Sequence, residues 1–577
     1  MRWFLLVLVS LLFSAPVHPA RAARIRVEIR GVSNELKANV EASLAIARIA
    51  RRTDTETDEL IRLHDRADEE IRVALEPFGF YRPVIIATLD ESGRRWVARY
   101  EIDPGPPLLL ESVEVSVRGP GASDPAFSGI VDEFPLREGD RLIHPDYDQS
   151  KARFVAVAAD SGYLRAEFDS AAIWIDPEAY TSGIVLAFST GERFTFGDVT
   201  FKQEVVDDRV IRGYIRFNKG DPFRARKLFE LQSGLTDSGY FGVVEVQPQL
   251  DLAEGNMIPI HVTLQPQKRE RYDVGVGYGT DTGPRFTLEA ELRRLNKSGH
   301  KGEVRLQVSQ IENSASVRYI IPPIYPKTWI VTFSAGYAQL APTSSESDMF
   351  VVGTTVAHRR WELMESFGLN YSIEKYEVGV DHGTSFLLMP GISWSLARTD
   401  DPIFTLKGRR FHVELFGSHD NVLSSATFVR FKWRGKNVFR LREKTRFITR
   451  FELGRIWTDE FRELPPTIRF FAGGDQSVRG YEFESLGPTD ELGNVIGGPI
   501  LGVLSAEIDH YFFAKWGVAA FFDIGNAFNT DFDERAQRGT GMGLRWLSPV
   551  GLFRVDFAWG LDNDNDFQLH FVIGPDL

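Results

Sequence analysis

A nucleophile needs a base beside it, and a metal needs several donors at regular spacing. The 577 residues supply neither pattern. Cysteine is absent, which removes thiol catalysis, zinc ribbons, iron–sulfur clusters and disulfide frameworks together. No Gly-x-Ser-x-Gly elbow occurs, and the 11 histidines are scattered without a His-Glu-x-x-His helix. Asp562-Asn563-Asp564-Asn565-Asp566 begins like a calcium loop but lacks the glycine and glutamate that complete one, so a polar hairpin is expected there. Gly539, Gly541 and Gly543 alternate along a strand pattern rather than opening a helix, and so make no phosphate cradle. No enzyme activity, metal or cofactor is expected. One run stands out: Gly473-Gly474-Asp475-Gln476-Ser477-Val478-Arg479-Gly480-Tyr481, a single arginine among flexible and aromatic neighbours between two long alternating segments. As bare chemistry it is a loop tip, with Arg479 either in water or tied to a carboxylate of the surrounding strands.

The elements that position this loop fall into three parts. Arg2 precedes an apolar run from Trp3 to Val9 that resumes from Leu11 to Phe13 and ends in Ala20-Arg21-Ala22-Ala23. That is the pattern of a secretory signal peptide over residues 1–22. No later segment approaches the ~20 apolar residues of a spanning helix, so a mature chain that crosses a membrane must do so as strands. With 67 basic against 80 acidic side chains the net charge is −13, which argues against nucleic acid as a partner.

From residue 23 to 268 a local signature recurs. Gly79-Phe80-Tyr81, Gly162-Tyr163-Leu164 and Gly239-Tyr240-Phe241 lie 83 and 77 residues apart. Each follows a helical pattern, such as Ile71, Ala74, Leu75 and Phe78, and each precedes a strand. Three small α+β units are expected, at 23–106, 107–190 and 191–268. Beyond them, over 269–577, the period becomes two: Phe286, Leu288, Ala290 and Leu292 alternate with Thr287, Glu289 and Glu291, and Phe553, Val555, Phe557 and Trp559 alternate with Arg554 and Asp556. One greasy and one charged face on segments of about ten residues is the pattern of a transmembrane antiparallel β-barrel, here of about sixteen strands. Trp329, Tyr337, Trp361, Trp394, Trp433, Trp457, Tyr511, Trp516 and Trp546 lie near segment ends, where interfacial aromatic girdles belong.

The Val478-Arg479-Gly480-Tyr481 run resembles the inward-folded loop of the outer-membrane assembly and translocation family to which BamA and TamA belong. Phe521, Asp523 and Gly525 are similar to that family's Phe-x-Asp-x-Gly strand, and Gly541, Gly543, Arg545, Trp546, Ser548, Pro549 and Gly551 to its following strand and turn. The resemblance implies that the three units are POTRA domains in the periplasm and that the barrel lies in a Gram-negative outer membrane. It also implies that Arg479 sits inside the barrel beside Asp523, with Glu507 a second candidate partner. A guanidinium withdrawn from water requires such a carboxylate, and the fork of arginine suits one. Three units before the barrel is the number in TamA-type members, and the ending Phe571-Val572-Ile573-Gly574-Pro575-Asp576-Leu577 is similar to theirs.

The first strand expected in the barrel, Tyr272 to Gly279, carries Gly275, Gly277 and Gly279, which remove side-chain packing. It should meet a last strand that runs through Phe571 to Gly574 and is cut short by Pro575, which has no N–H to donate. The glycines either weaken this seam so that it opens sideways, or make room for aromatic neighbours. A weak seam would admit an incoming strand. The function implied is therefore insertion and folding of unfolded outer-membrane proteins such as autotransporters, in contact with outer-membrane lipid and with a TamB-like protein anchored in the inner membrane. A two-partner-secretion transporter and a passive porin are the alternatives.

Overall fold

The computed structural model describes residues 24–50, 56–92, 95–323, 329–401, 404–548, 551–562 and 567–574. The expected signal peptide, Pro549, Pro575 and most of the Asp562–Asp566 run lie outside the described residues.

Three three-stranded sheets come first. In the first sheet, β1 (Arg24–Arg30), β2 (Val84–Ser92) and β3 (Arg95–Asp103) take the order β1-β3-β2. Strand β3 alternates, so Trp96, Ala98, Tyr100 and Ile102 enter a core with Leu36, Val40, Leu60, Ile71 and Leu75 from the helices Asn34–Ser43, Thr57–Asp65 and Ala67–Leu75. Spacings of three and four residues put Ile71, Ala74 and Leu75 on one helical face. In the second sheet, β4 (Leu109–Arg118), β5 (Glu167–Asp176) and β6 (Thr181–Ser189) run β4-β6-β5, over a core of Phe127, Phe154, Leu186 and Phe188. In the third, β7 (Thr195–Lys202), β8 (Phe241–Pro248) and β9 (Met257–Pro266) run β7-β9-β8. The opening strands β1 and β4, which pair in parallel with β3 and β6, are additions to the helix–strand–strand outline drawn from the pattern.

The Gly-aromatic signature marks corners. Gly79, Gly162 and Gly239 have φ of 77°, 91° and 75°, the left-handed conformation that ends a helix at little cost only for glycine. Two of them also let backbones approach. A Cβ on Gly79 would lie 2.5 Å from the Leu142 carbonyl oxygen, and one on Gly162 2.7 Å from that of Phe223. Their own carbonyls accept the N–H of Leu108 at 2.7 Å and of Phe194 at 2.8 Å. At the first corner the Tyr81 hydroxyl meets His144 Nε2 at 2.9 Å. Burial holds His144 below its ordinary range and pushes Tyr81 up to about 12, so both are neutral at neutral pH. At the third corner, the Tyr240 hydroxyl donates to the Gly299 carbonyl at 2.6 Å, and Lys301 Nζ to the Ser238 carbonyl at 2.7 Å.

The remaining strands form one 16-stranded sheet in which each strand pairs antiparallel with the next. Its first four, β10 (Glu270–Gly279), β11 (Gly283–Leu292), β12 (Lys301–Val308) and β13 (Glu312–Ile321), have 8 to 10 residues. The wall then rises through β14 (Ile330–Leu340), β15 (Ser345–Arg360) and β16 (Leu363–Val378) to the 19 residues of β17 (Asp381–Thr399). It continues as β18 (Gly408–Ser418), β19 (Phe428–Arg442), β20 (Thr445–Trp457), β21 (Ile500–Tyr511), β22 (Trp516–Phe528) and β23 (Gln537–Ser548). It falls again at β24 (Gly551–Gly560) and β25 (Phe567–Gly574), which has 8 residues. Tyr272, Val274, Val276 and Tyr278 are exposed on the outer face, as are Leu504, Ile508, Met542 and Leu544. Of the aromatics expected in the girdles, Trp329, Tyr337, Trp361, Trp433, Trp457 and Trp516 are exposed. Tyr511 is not: it is buried against Phe404, with the Arg446 guanidinium 5.7 Å from its ring.

Gly79→Ala adds a clash to the strain of a positive φ. Gly139, with φ of 86° and nothing near its absent Cβ, isolates the strain. We expect Gly139→Ala to cost about 1 kcal/mol and Gly79→Ala at least about 2 kcal/mol in urea denaturation; equal losses would show that close approach adds nothing. The depressed His144 also fixes a sign. Its contribution is complete above the ordinary histidine value of 6.5 and is lost as pH falls below it toward the lower folded value. Protease cleavage near residue 106 should therefore accelerate between pH 7 and pH 5, and less so in His144→Gln.

Candidate functional site

The connection from β20 to β21 folds back between the walls of the barrel. It is anchored by charge and by apolar packing. The buried Arg469 donates to the carbonyls of Leu464 at 2.8 Å, Ile496 at 3.0 Å and Arg462 at 2.8 Å, and to Asp381 Oδ2 at 3.0 Å. Arg430 of β19 donates to the Ile468 carbonyl at 3.0 Å and to Glu414 at 2.6 Å. Glu374 of β16, fully buried, accepts from Ser347 at 2.6 Å and from Thr467 of the loop at 2.5 Å. Val478, Tyr481, Phe470 and Leu486 close a core with Phe428, Ile456, Leu501 and Val503 of the wall. These contacts hold the loop tip against β21 to β25.

Arg479 is 2% exposed. Its Nε and Nη2 donate to the two oxygens of Asp523 at 2.7 and 3.0 Å, and its backbone N–H reaches the same carboxylate at 3.1 Å. Its Nη1 donates to Glu507 at 2.6 Å and to Asp556 at 3.2 Å. The face of the guanidinium lies 3.4 Å from the centre of the Phe521 ring, an arrangement that adds cation–π attraction where water is excluded. Of the residues named from the sequence, the structure brings together Val478, Arg479, Gly480, Tyr481, Phe521, Asp523 and Glu507. Gly525 lies further along β22, where a Cβ would collide with the Gly502 carbonyl.

The surrounding charges form a layer. Arg545 of β23 donates to Glu507 at 2.7 Å and to Asp556 at 2.5 Å. Arg446 of β20 donates to Asp509 at 2.9 and 2.7 Å, and Arg450 to the Asp475 carbonyl at 3.1 Å, with Asp523 at 3.8 Å. Arg446, Arg450, Arg479 and Arg545 thus face Glu507, Asp509, Asp523 and Asp556. Register brings them near one another: Arg446 pairs with Asp509, Arg450 with Ser505 and Ser505 with Asp523, Glu507 with Phe521, and Asp556 with Gly543, so the charged groups occupy neighbouring rungs on the inner face. Of these, Arg446, Arg450, Asp509 and Asp556 were not anticipated. The period of two placed them on the inner face, but only the ladder register shows which share a level.

Glycines let the loop rest on the wall. A Cβ on Gly539 would collide with the Arg479 carbonyl, one on Gly543 with Asp556, and one on Gly541 would lie 2.5 Å from the Phe521 ring. Gly480, at φ 94°, passes so close to β24 that a Cβ would lie 2.5 Å from the Gly560 nitrogen. At Gly539 and Gly480 the close approach is between loop backbone and wall backbone, so a side chain at either position would push the loop away from the wall.

At the seam, β10 and β25 are the two ends of the sheet, and among the described residues no ladder joins them. The contacts between these margins include a Tyr278–Phe571 ring pair with centroids 6.1 Å apart, the Phe571 N–H donated to the Thr280 hydroxyl at 3.3 Å, and His570 Nδ1 at 3.4 Å from Asp281 in the turn after β10. Gly275, Gly277 and Gly279 line the inner face of β10. Outside the adjoining residues, a Cβ built on Gly275 would meet Thr287 Cβ at 3.7 Å and one on Gly277 the Arg285 guanidinium at 3.6 Å. Gly574 ends β25. Among the described residues no group of three or more His, Asp or Glu is arranged to hold a metal ion.

Comparison with known proteins matches three segments. Residues 295–576 match the profile of the Omp85 superfamily domain, 26–104 that of the POTRA domain TamA domain 1, and 194–267 that of the surface antigen variable number repeat, a POTRA profile. The chain is 31% identical over 115 residues, 19% of its length, to the outer membrane protein assembly factor BamA of Nitratidesulfovibrio vulgaris. It is 21% identical over 517 residues, 76% of its length, to BamA of Neisseria meningitidis serogroup B. It spans 14% and 64% of these two relatives' own lengths. The crystal structure of Haemophilus ducreyi BamA lacking POTRA domains 1–3 superposes with a TM-score of 0.70 at 16% identity, over 81% of this chain and 99% of that one. That likeness is one of fold.

Because Arg479 serves three carboxylates, Arg479→Ala leaves Asp523 with Arg450 at 3.8 Å and makes Glu507 and Asp556 share Arg545. The expected loss of barrel stability is about 3–5 kcal/mol. Arg479→Ala combined with Asp523→Asn should cost less than the sum of the two single losses, by at least about 1 kcal/mol, in detergent unfolding of the refolded protein. Additive losses would show that the pair is not coupled.

Proposed function

Since the chain belongs to the Omp85 superfamily, we propose that it is a TamA-type assembly factor that inserts and folds β-barrel clients through the seam between β10 and β25. The barrel lies in a Gram-negative outer membrane, with the N-terminal units in the periplasm. The observation that carries the function is the unclosed sheet. In lipid each unpaired backbone group costs several kcal/mol. An edge joined to its neighbour by side-chain contacts and a single backbone donor, with no ladder among the described residues, therefore gains more from an incoming strand than it gives up in parting. The mechanism is non-enzymatic: backbone pairing supplies the driving force, and no bond is made or broken.

We take residues 23–106, 107–190 and 191–268 as three POTRA domains and 269–577 as the barrel. The profile matches at 26–104 and 194–267, and the sheet of β4 to β6 between them, support this division. Val478, Arg479, Gly480 and Tyr481 with Phe521, Asp523, Gly525 and Glu507 act as a lock that keeps the loop against the wall beside the seam. Gly275, Gly277, Gly279, Phe571 and Gly574 form the seam. Clients are unfolded outer-membrane proteins, autotransporters among them, and a TamB-like protein anchored in the inner membrane is the partner. A passive porin is disfavoured because the inward loop occupies the lumen beside β21 to β25.

Depletion of the protein should lower a set of barrel proteins, including autotransporters, in the outer membrane. Wild type supplied in trans should restore them and Arg479→Ala should not. Loss of solute uptake with every barrel protein at its normal level would overturn the proposal.

A further inference from the structure

The geometry points to Asp281 and His570 as positioning residues that hold the two ends of the sheet together by way of the inward loop, an inference that rests on the seam reading above. Asp281 sits in the turn between β10 and β11, and His570 on the inner face of β25. The His570 residue is 2% exposed and the Asp281 side chain 9%. Asp281 Oδ2 accepts the Asp475 N–H at 2.5 Å, and its Oδ1 lies 3.4 Å from His570 Nδ1. On the other side of the ring, His570 Nε2 accepts the Gly480 N–H at 3.3 Å. The loop tip is thus bonded to both margins of the seam, and the margins meet each other through one imidazole and one carboxylate. This junction includes Gly480, the residue that follows Arg479. Movement of the lock and opening of the seam share an atom set.

The chemistry of imidazole makes the junction directional. To accept from Gly480, Nε2 must carry no proton, which places the ring proton on Nδ1 toward Asp281. Proton uptake at Nε2 turns that acceptor into a donor facing another donor, so the bond to Gly480 is lost. The same proton gives His570 a positive charge opposite Asp281 and strengthens that contact. Acid therefore moves β25 from the loop to the first hairpin and tightens the seam; a neutral ring ties β25 to the loop and leaves the seam weaker. Several charges face this ring. Asp556 pairs with His570 across the ladder and Arg554 is two residues along β24; Asp475 and Arg479 approach from the loop, and Asp281 from the hairpin. Asp556 is engaged by Arg479 and Arg545, so Asp281 is the carboxylate with most to gain from a charged His570.

The test places spin labels on Val274→Cys of β10 and Leu569→Cys of β25 in the full chain, in lipid nanodiscs, and measures the interlabel distance distribution at pH 5 and pH 8. The open population should be at least threefold smaller at pH 5. His570→Gln keeps an uncharged acceptor for Gly480, and its distribution should not change with pH. Asp281→Asn keeps an oxygen for the Asp475 N–H but removes the charge, and it should abolish the closing at pH 5. Either variant alone carries the test if the other fails to fold. A wild-type distribution independent of pH, or variants that retain the wild-type profile, would overturn the inference. A shift in opening that is equal at both pH values would also overturn it, because that is the signature of a purely structural role. The readout needs no client: a pH-dependent seam with unchanged barrel proteins after depletion would leave this junction standing and remove the proposed function.

Discussion

In a bilayer no water is available for an unpaired backbone N–H or C=O, and the rest of this structure follows from that constraint. It forces the C-terminal half into one sheet whose strands pair in sequence order. It also makes the place where the sheet fails to pair the most consequential part of the molecule. The wall is tallest at β17 and shortest near its two ends, where strands of 8 to 10 residues meet. Their junction carries little backbone pairing. Side chains and the inward loop supply what the ladder does not.

That loop is held by a second application of the same physics. Arg479 cannot be removed from water unless its donors are met, and here Asp523, Glu507 and Asp556 meet them. Buried ion pairs of this kind add modest net stability against an apolar core, but they penalise strongly any arrangement that separates them. They therefore specify a position. The glycines at 480, 539, 541 and 543 belong to the same device, since each provides the space that lets the loop backbone, Phe521 or Asp556 come close.

Much of this was legible in the sequence. Three Gly-aromatic corners divided the N-terminal part because helix ends and close backbone approaches both demand glycine there. The strict period of two yielded the number of strands, because an inner polar and an outer apolar face leave no other pattern. The opening strands β1 and β4 were less visible: each is a short run whose parallel partner lies some 70 residues away. Arg446, Arg450, Asp509 and Asp556 were legible as inward charges but not as one layer, because level depends on register. Tyr511 looked like a girdle residue from its place near a strand end, yet it faces inward on the same side of β21 as Glu507 and Asp509. Asp281 and His570 could not be connected at all, since they lie at opposite ends of the barrel sequence and meet only when the sheet curls round.

The chain has no cysteine of its own, so two introduced thiols report on the seam without interference. With Tyr278→Cys and Phe571→Cys joined by a short cleavable cross-linker, insertion of an unfolded barrel client into lipid vesicles should fall at least tenfold and return on cleavage. Unchanged insertion by fully cross-linked protein would contradict the claim that clients enter through the gap between β10 and β25.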